Sequence, residues 1–144
     1  MKPLDHGLVF VCGFIEHIGR EYKLERSVVV DTFGEENIRR LYTLADVFHC
    51  QSLENNLIDW EERLTFPRGD YATHINAKFR VPSPYAVGKV YARLIQMLEF
   101  EPVEGIFQVY HSFLAELICN YNNHVIFTPI QELAQSYREG ALIL

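Results

Sequence analysis

Apolar positions recur every three to four residues along most of the chain, the spacing of one face of an α-helix. Leu8, Val11, Cys12, Ile15 and Ile18 or Gly19 predict a first helix over residues 8–23. Gly13 and Gly19 each cost such a helix roughly 1 kcal/mol relative to alanine, so they mark places where another helix packs close. A short helix follows over residues 25–33, and Gly34 suits its C′ position because glycine tolerates positive φ. Glu35 and Glu36 favour the positive dipole end of the next helix, which turns Ile38, Leu41, Tyr42, Ala45 and Phe48 inward.

Ser52 reads as the N-cap of a helix over residues 53–64, with Leu53, Leu57, Trp60 and Leu64 on its core face. The Pro-Arg-Gly-Asp run at residues 67–70 is turn chemistry. Ser83 and Pro84 form the clearest helix start, since proline at the first helical position forfeits no hydrogen bond. That helix points Val87, Val90, Tyr91, Leu94, Ile95 and Leu98 inward. Beyond Pro102 the apolar arc over residues 106–121 is wide enough to predict the central, most buried helix. Val125, Ile126 and Phe127 look strand-like, and Thr128-Pro129-Ile130-Gln131 has the form of a capping box. The last helix ends near Gly140 and leaves an apolar tail at residues 141–144.

One stretch breaks the helical period. Residues 71–81 (YATHINAKFRV) alternate, with Tyr71, Thr73, Ile75, Ala77, Phe79 and Val81 on one side and His74, Asn76, Lys78 and Arg80 on the other. As a strand it would run about 36 Å at ~3.3 Å per residue, and its backbone N–H and C=O groups would need partners. It can lie across the helices as a covering strap, form a small local sheet, or pair with another chain. Together these patterns predict a mainly α, single-domain bundle of six or seven helices spanning residues 1–144. One extended segment at about 71–81 lies between its helical halves.

Composition narrows the function classes. The chain of 144 residues carries a net charge of -6, which argues against binding nucleic acid through neutralised phosphates. The polar side of residues 71–81 is its most cationic short stretch, so His74, Asn76, Lys78 and Arg80 are the candidate residues for binding an acidic protein partner. Three well-separated cysteines, Cys12, Cys50 and Cys119, form no CxxC pair, and each lies in an apolar helical context. A reduced, cytoplasmic setting follows. The apolar run at residues 8–15 is too short to span a bilayer and is followed at once by Glu16, His17 and Arg20. The unpaired edge and the apolar tail both invite a homodimer.

Two other classes are weighed. Helix, glycine turn and helix over residues 26–50 has the form of a DNA-binding helix-turn-helix, but its second helix opens on Glu-Glu-Asn, which would face phosphate. Asp46, His49 and Cys50 could seed an enzyme site. Asp46 and His49 supply too few ligands for a metal, and adjacent helical residues such as His49 and Cys50 point about 100° apart. No P-loop, GxGxxG, HExxH or GxSxG motif occurs. No catalytic residue, metal or cofactor is assigned.

RSVVVDTFGEENIRRLYTLADVFHC at residues 26–50 and VPSPYAVGKVYARLIQ at residues 81–96 resemble a group of small uncharacterised bacterial helical proteins. The likeness covers roughly residues 10–100. Members of that group are encoded beside genes for ADP-ribosyltransferase-like toxins. The resemblance therefore implies a binding module, an antitoxin or immunity-like partner of a toxin, and brings no catalytic residues with it.

Overall fold

The computed structural model describes residues 2–143, and every regular element among them is helical. Eight α-helices follow in order: α1 (His6–Tyr22), α2 (Arg26–Thr43), α3 (Ala45–Phe48), α4 (Leu53–Glu61), α5 (Pro84–Met97), α6 (Pro102–Tyr110), α7 (Phe113–Ile118) and α8 (Ile130–Glu139). The local chemistry sets most boundaries. The Asp5 carboxylate accepts from the Leu8 N–H at the start of α1, Ser52 caps α4 and Ser83 caps α5. Pro84 takes the first turn of α5 as expected, and Gly140 ends α8 in the left-handed conformation. Gly34, at φ 77, breaks α2 into two arms where the glycine turn was predicted.

The central helix is α1, not the one expected beyond Pro102. Its residues from Leu8 to Gly19 are buried on every side, and it packs chiefly on α5 and then on α2. A pattern that is apolar all round signals such enclosure better than a broad stripe does. The wide arc at residues 106–121 instead breaks at His111 and Ser112, so α6 and α7 are two short helices. The α1–α5 contact depends on glycine. A Cβ on Gly88 would lie 2.6 Å from the Val9 carbonyl oxygen and 2.7 Å from the Gly13 nitrogen. The two backbones therefore meet with no side chain between them.

Residues 71–81 lie outside the helices, as predicted, and separate α4 from α5. They do not form one continuous strand. The Ile75 N–H bonds the Ala72 carbonyl at 3.1 Å, and Asn76 takes φ 53, so a turn interrupts the alternation halfway. Only over residues 77–81 does it survive, with Ala77, Phe79 and Val81 partly buried and Lys78 and Arg80 exposed. The covering strap is the arrangement found, and its backbone is satisfied piecemeal. Tyr71 N–H donates to the Lys23 carbonyl, Lys78 N–H to Asn122 Oδ1 and Phe79 N–H to the Tyr121 carbonyl, at 2.9–3.2 Å.

Other local expectations are corrected. Val125–Phe127 is a single 3-10 turn, and Thr128 makes no capping bond to α8. Cys12 and Cys119 are buried as expected, but Cys50 is exposed. Leu142 and Ile143 stay exposed at the apolar end, while Leu144 lies outside the described residues. No helix among the described residues is long and apolar enough to cross a membrane.

Candidate functional site

Beneath the strap sits the most polar part of the interior. Glu16, in the middle of α1, is wholly buried, yet its carboxylate accepts four strong hydrogen bonds. Arg26 grips it with both faces of its fork, Nε to Oε1 at 2.9 Å and Nη2 to Oε2 at 2.8 Å. Arg20 Nε and the Tyr121 hydroxyl reach Oε2 at 2.7 Å each. The pairing is bidentate and charge-assisted, the geometry that offsets the cost of burying ions. Gly19 makes it possible: a Cβ there would lie 2.5 Å from Arg26 Cδ, so only glycine lets the arginine cross α1.

Electrostatics follow from this packing. Burial alone would raise the Glu16 pKa, but the charges and hydrogen bonds of Arg26 and Arg20 overcome it and draw the carboxyl down to about 2. Burial, with Glu16 nearby, pushes the Cys119 thiol up to about 12, so it is an inert neutral group. Its sulfur lies 2.9 Å from the Tyr91 hydroxyl.

The ionic centre is tied to the strap. Arg20 Nη2 donates to the Pro82 carbonyl at 2.6 Å, and Tyr71 and Thr73 hydroxyls reach the Glu116 and Cys119 carbonyls. The four predicted binding residues do not share one face. Lys78 and Arg80 are exposed; Lys78 Nζ lies 5.5 Å from the centroid of Phe79, and Arg80 Cζ lies 5.5 Å from that of Phe127. Asn76 occupies the left-handed turn position. His74 turns inward. Its Nδ1 is buried with no hydrogen-bond partner among the described residues, and partial burial together with Arg26 and Arg20 lowers its pKa. The turn at residues 72–75 separates it from the cations that the alternation placed beside it.

The remaining candidates fall elsewhere. His49 faces Tyr85, with Nδ1 3.2 Å from the hydroxyl, whereas the Cys50 thiol donates to the Asp46 carbonyl. Asp46, His49 and Cys50 are thus not assembled as nucleophile, base and orienting acid. No group of three or more His, Cys, Asp or Glu positioned for a metal occurs among the described residues. In the helical hairpin, Arg26 is consumed by Glu16, and Arg39 bridges Glu35 and Glu101 at 3.3 Å each. His111 sits near Ser112 and 2.9 Å from Asp31, but its other nitrogen meets the Phe107 carbonyl at 2.7 Å. Both nitrogens are occupied and the Ser112 hydroxyl donates to the Val109 carbonyl, so no serine–histidine hydrogen bond is formed here. A cleft of about 80 Å³ lined by Arg26, Tyr71, Tyr110, His111 and Cys119 has room for a few waters and falls short of a metabolite pocket.

Sequence reasoning missed the Glu16 centre. Its signal was an acid with an arginine four residues on, set within an otherwise apolar run that also holds two glycines. Neither Arg26 nor Tyr121 can be linked to Glu16 by local spacing. Comparison of the chain with family models, with curated proteins and with solved structures gave no match.

Proposed function

We propose that the protein is a non-catalytic binding module that takes an acidic protein partner on the strap face. The observation that carries this reading is the pair Lys78 and Arg80. Both are exposed, both rest beside aromatic rings, and neither forms an ion pair among the described residues. They stand in a stretch with no Asp or Glu between Asp70 and Glu99, inside a chain of net charge -6. Such a local reversal of sign steers an acidic surface to one place and repels it elsewhere. The same strap leaves Ile75 half exposed, and Phe127 under Arg80 is 45% exposed, so apolar contact accompanies the charge.

Recognition here works by occluding the partner. A toxin neutralised in the cytoplasm, the role implied by the resemblance, is one partner of this kind. The test is affinity capture from lysate of the source cells, with wild type and the Lys78→Glu, Arg80→Glu double variant compared by mass spectrometry. An acidic protein held by wild type and lost by the variant is the expected result; identical captured sets would overturn the reading. Light scattering at rising concentration tests the accompanying expectation of a homodimer through the exposed apolar end.

A further inference from the structure

Over two stretches of the chain the charge is of one sign. Residues 41–62 hold Asp46, Glu54, Asp59, Glu61 and Glu62 with no Lys or Arg, whereas residues 71–98 hold Lys78, Arg80, Lys89 and Arg93 with no Asp or Glu. All of these side chains belong to exposed residues, and none takes part in an ion pair among the described residues. The acidic stretch also carries the two most exposed large apolar side chains among the described residues, Val47 at 65% and Ile58 at 57%.

Ile58 lies at the middle of the outer face of α4, whose inner face buries Leu53, Leu57 and Trp60. Glu54 stands four residues before it, and Glu61 and Glu62 three and four after, the spacings that share one side of a helix. An apolar side chain is thus ringed by unpaired acid. The strap repeats the plan with the sign reversed. Ile75 and Phe127 are 50% and 45% exposed, and Lys78 and Arg80 accompany them, Arg80 over the Phe127 ring at 5.5 Å. An apolar centre within a charged rim is the anatomy of a protein interface. Each face has the chemistry that the other would receive.

We propose that the protein pairs with a second copy of itself, the α4 face of each copy docking on the strap face of the other about a two-fold axis. Charge complementarity selects the occupant: the strap calls for an acidic surface with an apolar centre, and α4 is such a surface. The two-fold follows from size. A stable interface buries roughly 800 Å² per partner, about a tenth of the 7578 Å² that one copy exposes. The nine residues of α4 extend only about 14 Å, so one such contact falls short. Two-fold symmetry makes it twice, and it is the commonest arrangement of soluble homo-oligomers. The dimer rests on the reading above in one respect, that Lys78 and Arg80 take an acidic surface, and it names a copy of this chain as that surface.

Sedimentation equilibrium with charge-reversed variants tests the pairing. Wild type should show a monomer–dimer equilibrium at concentrations up to about 0.5 mM. Lys78→Glu with Arg80→Glu makes both faces acidic, and Glu54→Lys with Glu62→Lys makes both cationic. Each variant alone should dimerise at least about tenfold more weakly than wild type. Mixed in equal amounts they should form a heterodimer of near wild-type affinity, because opposite signs meet again at both contacts. Leu142→Ser with Ile143→Ser, placed in both variants, separates this contact from association through the apolar end and should leave the heterodimer intact. Should a reversed variant fail to fold, carbodiimide coupling of isotopically mixed wild type should join Lys78 of one copy to Glu54, Glu61 or Glu62 of the other. A monomer at every concentration, a mixture that stays monomeric, a heterodimer lost with the tail, or links confined to one copy would each overturn the dimer. A monomer that still captures an acidic protein through Lys78 and Arg80 would overturn the dimer alone and leave the strap reading in place.

Discussion

Glu16 and Arg80 lie on either side of a single connection, since Arg20 links the Glu16 carboxylate to the Pro82 carbonyl beside the strap. Their surroundings are opposite. Glu16 is sealed in the core with every charge around it satisfied, whereas Arg80 and Lys78 face solvent with no acid to pair with among the described residues. Buried charge that is fully bonded is costly to disturb and specifies one arrangement of α1, α2 and the segment after α7. Exposed charge contributes little to folding and is free to meet another surface. The difference separates what holds this molecule together from what it offers outward.

Removing Arg26 should break the comparison most severely. Arg26→Met leaves Glu16 short of its bidentate partner and should cost about 3–5 kcal/mol in urea unfolding. Adding Glu16→Met should recover part of that loss, because it removes the underpaired carboxylate while leaving Arg20 without its acid. A double variant no better than the single would show that the network supports the fold through something other than ion pairing.

Acid unfolding probes the same centre from the proton side. The Glu16 pKa is depressed to about 2 in the fold, so its contribution is complete above the ordinary 4.5 and is lost as pH falls toward 2. That limb is worth roughly 3 kcal/mol, and it should flatten in Glu16→Gln. Unchanged slopes would contradict the assigned pairing.

Gly88→Ala tests packing in place of charge. Its Cβ would press on the α1 backbone at Val9 and Gly13, which cannot swing aside as a side chain could. A loss of about 1–3 kcal/mol is expected by thermal or urea unfolding. The smallest effect belongs to the strap cations: Lys78→Glu with Arg80→Glu should move folding stability by no more than about 0.5 kcal/mol. A large loss there would make those residues structural and remove the contrast.

The legible part of this fold was the part written in local chemistry. Ser52, Ser83, Pro84, Gly34 and Gly140 mark their boundaries because caps, prolines and positive φ act within a few residues. The central helix was harder to read, because a helix enclosed on all sides loses the stripe that periodicity detects. The strap's outer half followed its alternation. Its inner half did not, since a turn at Ala72–Ile75 sends His74 inward and no spacing rule foretells that. The ionic centre was hidden for a different reason: Tyr121 and Glu16 lie 105 positions apart, so only the folded chain brings them together. Lys78 and Arg80 were readable as the candidate face because an exposed cation in an acid-free run needs no tertiary partner to be noticed.

The division between sealed and offered charge is tested most directly by titrating salt against two readouts in the same buffers, partner capture and the urea unfolding midpoint. Raising ionic strength from about 0.05 to about 0.5 M screens exposed charges and leaves buried pairs nearly untouched. The account predicts that captured partner is released while the unfolding midpoint stays put. Capture that survives the salt, or a midpoint that falls in step with it, would contradict it.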